Sequence, residues 1–111
     1  MNWIEINTID QLAELEQASN KNLVLIFKHS TSCSISMASL NRLQRSYKPE
    51  ELMGVKTYIL DLLSYRNISN AIAKKFEVQH ESPQAILLKN GKVVYSASHF
   101  DIDYQAILKA R

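Results

Sequence analysis

The run Leu23-Val24-Leu25-Ile26-Phe27 constrains the fold of this chain more than any other segment. Five consecutive apolar residues have the length of a strand and fall short of a helix. A strand with no polar side is buried on both faces, as at the centre of a sheet covered by helices. Its neighbours in the sequence must therefore supply helices for both faces. With 111 residues the chain has room for one such unit, and residues 1–111 read as a single domain.

The flanking periodicities provide that cover. Trp3 to Ile6 alternates like a short strand. Thr8 and Gln11 have capping-box spacing, and Leu12, Leu15 and Ala18 follow at helical intervals. After Phe27 comes a polar segment, Lys28-His29-Ser30-Thr31-Ser32-Cys33-Ser34-Ile35-Ser36. Met37, Leu40, Leu43 and Tyr47 then recur with helical period, and Pro49 lies beyond that helix. Val55 to Leu62 reads as a third strand. Asn67 is placed to cap a helix carrying Ile68, Ala71, Ile72 and Phe76. The chain holds two prolines and two glycines, so each acts as punctuation. Pro83 precedes the strand Gln84–Lys89, and Asn90-Gly91 predicts a hairpin into Lys92–Ser96. A last helix is expected over about Ile102 to Ala110. The order is β-α-β-α-β-α-β-β-α, an α/β class with a mixed central sheet and helices on both faces. This order and spacing match a thioredoxin-like fold.

Composition narrows the function classes. Hydrophobic residues make up 46%, charged residues 22%, and the net charge is +2. That apolar content builds a core without disulfides or a structural metal. A charge of +2 is too small to predict binding to nucleic acid or to an anionic membrane. No apolar run approaches the roughly 20 residues of a membrane span. The first residues lack the pattern of a signal peptide, so a cytoplasmic location is expected.

The chemistry then centres on the only cysteine, Cys33. It falls at a strand-to-helix junction. A helix start offers unpaired N–H groups and the positive end of the macrodipole, both of which favour a thiolate over a thiol. Cysteines so placed have pKa values drawn down from about 8.5 toward about 3.5–7.5. Lys28 and His29 can add positive charge near the sulfur, and no carboxylate occurs between Glu16 and Glu50. The motif Cys33-Ser34-Ile35-Ser36 puts a serine where a dithiol motif has its second cysteine. Ser36 cannot resolve a mixed disulfide, although its hydroxyl can hydrogen-bond the Cys33 thiolate. The expected chemistry is therefore monothiol, with an external thiol releasing whatever Cys33 has taken up.

A second feature supports the first. Ser82-Pro83 stands before the fourth strand, where thioredoxin-fold proteins carry a cis-proline beside the active cysteine. Ser82 would then offer its N–H and C=O to an extended substrate, with Ser32 and Ser34 lining the same site. His80, on this loop, is a further candidate for tuning the thiol. His29, His80 and His99 match no zinc-ligand spacing, and no metal is expected. Asp61 reads as the end of its strand, or as a buried proton carrier.

With Thr31-Ser32-Cys33-Ser34-Ile35-Ser36 and His80-Glu81-Ser82-Pro83-Gln84 in place, the chain resembles the monothiol bacilliredoxins, thioredoxin-like proteins of the bacillithiol system in low-GC Gram-positive bacteria. The resemblance runs over nearly the whole chain and includes Phe27-Lys28-His29-Ser30 and Asp61. Ser34 stands where the family often has proline, a residue that presets a helix start. The resemblance implies removal of bacillithiol from S-thiolated client proteins, or its transfer through a mixed disulfide on Cys33. Bacillithiol would be a co-substrate with no tightly bound cofactor, in a setting of redox homeostasis and stress response. Two other readings stay open at this point: a thioredoxin-fold interaction module without catalysis, and a glutaredoxin-like iron–sulfur carrier, since C-x-x-S motifs occur there too.

Overall fold

A computed structural model describes all residues from Met1 to Arg111. Five strands form one sheet: β1 (Ile4–Glu5), β2 (Val24–His29), β3 (Lys56–Asp61), β4 (Gln84–Lys89) and β5 (Lys92–Ser98). Four helices join or follow them: α1 (Gln11–Ala18), α2 (Ser34–Ser46), α3 (Arg66–Lys75) and α4 (Tyr104–Ala110). The sheet order is β1-β3-β2-β4-β5. β1, β3 and β2 run parallel, while β4 is antiparallel to both β2 and β5. The order, the mixed sheet and the two covering layers are those expected of the α/β thioredoxin-like fold. No helix is long and apolar enough to cross a membrane.

β2 is central and every one of its residues is buried. Its alternation divides the interior into two cores. Val24 and Ile26 face Leu12 and Leu15 of α1 and Ile68 and Ile72 of α3. Leu25 and Phe27 face Leu40 and Leu43 of α2 and Tyr104 and Ile107 of α4. Each fully buried Leu, Ile or Phe contributes about 1.5–3 kcal/mol relative to exposure. Trp3 packs against the second core and its indole N–H donates to Gln44 Oε1 at 2.8 Å.

Several local expectations are corrected. β2 continues through Lys28 and His29, because both find buried polar partners. The buried face of α2 is Ser36, Ser39, Leu40 and Leu43, whereas Met37 is 42% exposed. Helix α3 begins at Arg66 with Tyr65 at its N-cap, so Asn67 lies inside the first turn and does not cap it. Gln11 does reach back as a capping-box residue, accepting from the N–H of Thr8 at 3.0 Å, although the helix itself starts only at Gln11. Asp103 caps α4 by accepting from Ala106 N–H, and a single 3₁₀ turn, His99–Asp101, precedes it.

Candidate active site

The site lies at one end of the sheet. β2 runs out at His29 into the cysteine loop, and β4 starts at Gln84, which pairs with Lys28. The loop of residues 30–33 and the loop of residues 79–83 therefore leave the sheet side by side. The Ser82–Pro83 peptide bond is cis, as expected. Pro83 is buried and Ser82 partly so, and the Pro83 carbonyl accepts from His99 N–H at 3.0 Å.

Cys33 is a free thiol of intermediate exposure at the N-cap of α2. Its backbone is extended, at φ −107° and ψ 121°, and its carbonyl accepts the first helical bond, from Met37 N–H at 3.1 Å. The following N–H groups, of Ser34, Ile35 and Ser36, thus open the helix without intrahelical partners. Cys33 thus stands at the positive end of a helix of 13 residues, and its side chain makes no capping hydrogen bond. Ser32 and Ser34 beside it are exposed.

Ser36 departs from expectation. Its side chain is fully buried, and its hydroxyl oxygen accepts from Ser30 N–H at 3.0 Å and pairs with His29 Nδ1 at 2.6 Å. The first turn of α2 presents Ser36 inward to the strand end, so the hydroxyl anchors the cysteine loop to β2. These bonds replace the expected one to the Cys33 sulfur.

Lys28 and His29 point to opposite faces of the sheet. Lys28 is fully buried on the α3 side, where its ammonium donates to the Ser69 carbonyl at 3.0 Å and meets His80 Nδ1 at 3.2 Å. Burial pulls its pKa down to about 8. The Ser69 hydroxyl also reaches His80 Nδ1, at 3.2 Å. Burial, then the neighbouring Lys28 charge, hold His80 below the usual imidazole range. This trio ties the loop before Pro83 to β2 and α3. On the other face His29 is likewise held below its usual value by burial, against an upward pull from Asp61. The structure thus pairs His29 with Ser36, and Lys28 with His80.

Asp61 lies beside His29 on the neighbouring strand. Its carboxylate accepts from Leu63 N–H at 3.2 Å and from the Ser64 hydroxyl at 2.9 Å, so it closes β3 as a turn cap. Sequence reasoning did not find the cavity beside it, about 330 Å³, bordered by Glu5, Asn7, His29, Thr31, Asp61 and Ser64. Its lining comes from four separated segments, which no local motif reveals. No three His, Cys, Asp or Glu side chains gather as a metal-holding group.

The comparisons agree with this architecture. A solved structure described as a candidate oxidoreductase with a thioredoxin fold superposes with a TM-score of 0.79 at 33% identity, covering 96% of this chain and 91% of its own. The thioredoxin of Trypanosoma brucei brucei superposes at a TM-score of 0.70 and 15% identity, over 98% and 87% of the two chains. That of Malassezia sympodialis gives 0.70 at 17% identity, over 96% and 87%. These two establish likeness of fold. The sequence profile of the family described as monothiol bacilliredoxin BrxC matches residues 4–107. The chain therefore belongs to the monothiol bacilliredoxin family, with a thioredoxin fold and a thiol redox function.

Proposed function

We propose that this protein is a monothiol thiol–disulfide oxidoreductase that takes a small thiol, bacillithiol, from mixed disulfides on cytoplasmic client proteins. The observation that carries the reading is the placement of Cys33. It is partly exposed at a helix N-cap, beside the loop that ends in cis-Pro83, with no second cysteine in the chain.

The Cys33 thiolate attacks the small-thiol sulfur of the mixed disulfide. That disulfide breaks, the client leaves as a thiolate, and Cys33 carries the small thiol in a new disulfide. One disulfide is lost and one is formed, so no outside oxidant is required. A second small thiolate then attacks the adduct, forms the symmetric disulfide and frees Cys33. Ser36, whose hydroxyl is held by Ser30 and His29, leaves this release to the external thiol.

The substrate backbone is accommodated by Ser82, whose loop is fixed through His80 to Lys28 and Ser69. Extended substrates add to such segments by strand-like main-chain pairing. The test is to incubate a bacillithiolated client with the protein and weigh both by intact mass spectrometry. The bacillithiol mass should appear on the wild-type chain and not on Cys33→Ser. A client that keeps its modification in the presence of active wild-type protein would refute the reading.

A further inference from the structure

We propose that the cavity bordered by Glu5, Asn7, His29, Thr31, Asp61 and Ser64 receives the amine-bearing part of the small thiol whose sulfur engages Cys33. This rests on the thiol-transfer reading above and adds a recognition site to it.

The cavity lies where β1, β2 and β3 end, and these three strands run parallel. Open α/β sheets take their ligands at the carboxyl ends of the strands. Thr31, in its wall, lies two residues before Cys33, so the cavity borders the cysteine loop on the side of the sheet away from Pro83. A disulfide at Cys33 thus has two flanks, the Pro83 loop on one and this cavity on the other. Size follows. About 330 Å³ is at the small end of ligand pockets, which run from about 300 to 1,000 Å³, and suits a low-molecular-weight thiol.

Chemistry then sets the class of ligand. Two carboxylates, Glu5 and Asp61, reach the lining, and no lysine or arginine does. His29, the one basic side chain there, has its pKa held below the ordinary 6.5 by burial, against an upward pull from Asp61. Asn7, Thr31 and Ser64 offer hydrogen bonds, and the remaining three lining residues are hydrophobic. Asp61 is held in place by Leu63 N–H and Ser64, and each of its oxygens retains a further accepting position. Such a wall fits a thiol with an ammonium group and hydroxyls, and disfavours one that turns a carboxylate toward it. The chain as a whole carries +2, so a preference for a cation must arise from local charge and not from the net charge.

The reaction that reads this out is direct. The Cys33 thiolate attacks one sulfur of a symmetric disulfide R–S–S–R, that S–S bond breaks, Cys33–S–S–R forms, and RS⁻ leaves to take a proton from water. Cystamine, with an ammonium on each arm, and bis(2-hydroxyethyl) disulfide, which is neutral, are the probes. Rates of adduct formation are followed by intact mass spectrometry at low ionic strength. The cystamine-to-neutral rate ratio is divided by the same ratio for the urea-unfolded chain, which cancels intrinsic reactivity.

The folded wild-type chain should show a corrected ratio of about fivefold or more, the size of one close ion pair in water. Glu5→Gln with Asp61→Asn should bring it toward one, and salt should shrink it. Glu50→Gln, which removes the same charge elsewhere, should leave it high. Because Asp61 also closes a turn, Glu5→Gln alone decides the matter if Asp61→Asn unfolds: its side chain takes part in no hydrogen bond in the structure, and its ratio should still fall. A corrected ratio near one in wild type, or one unmoved by Glu5→Gln, overturns the cavity assignment while leaving thiol transfer intact. Failure of both disulfides to label folded Cys33 overturns thiol transfer itself, and the cavity assignment with it.

Discussion

The buried Ser36 hydroxyl joins the end of β2 to the start of α2. Ser36→Ala leaves the Ser30 N–H and His29 Nδ1 unpaired in a buried site. Loss of about 2 kcal/mol is expected, since an orphaned buried polar group costs about 1–3 kcal/mol, and urea unfolding would measure it. The pH dependence of stability has two parts. His29 and His80 have folded pKa values below their ordinary 6.5, so the folded state resists protonation. Their contribution is complete above pH 6.5 and is lost as the pH falls through the folded values. Lys28 has a folded pKa of about 8 against an ordinary 10.5. The unfolded chain binds the extra proton between those values, so stability should rise by about 2 kcal/mol from pH 8 to pH 10. Lys28→Met should abolish that rise, and unfolding midpoints at pH 8, 9 and 10 would show it. Above pH 10 the buried Tyr58 and Tyr104 and the half-buried Tyr95, with raised values, work in the opposite direction. Cys33 was legible because it is the only cysteine and sits at a strand-to-helix junction. The partners of Lys28 and His29 were not legible. They come from α3, the 79–83 loop and α2, and only the packed sheet brings these together.

At the scale of elements, period and punctuation carried most of the information. Asn90 and Gly91 both adopt positive φ, 53° and 73°, as the hairpin signal requires. A Cβ at Gly91 would meet nothing closer than Glu16 at 3.7 Å, so Gly91→Ala should cost only the backbone strain, about 1 kcal/mol in the thermal or urea midpoint. Helix faces were harder to read. Met37 fitted the apolar stripe of α2 by spacing, yet the inward position went to Ser36, whose hydrogen bonds to β2 offset its polarity. Asn67 looked like a cap by residue type, but the chain turns into α3 two residues earlier, with Tyr65 at the N-cap, after Asp61 has closed β3. Boundaries set by tertiary hydrogen bonds do not show in local spacing.

For the whole molecule, the apolar run of β2 was the most informative segment, because a strand buried on both faces demands two helical layers. Both cores share β2 and β4, through Val24, Ile26, Ile86 and Leu88 on one face and Leu25, Phe27, Ala85 and Leu87 on the other. They should therefore melt as one unit. Trp3 fluorescence, reporting the second core, and far-UV circular dichroism, reporting all helices, are expected to give coincident urea transitions. The fold in turn brings a free cysteine at a helix N-cap, a cis-proline loop and an acidic cavity to one end of one sheet. In the function proposed above, Cys33 alone carries a small thiol between partners. The measurement that tests it most directly is intact mass spectrometry of the protein mixed with a bacillithiolated client. One bacillithiol should be added per wild-type chain, with an equal amount of freed client thiol and no addition to Cys33→Ser. A client left fully modified, with no mass gained by the wild-type chain, would contradict it.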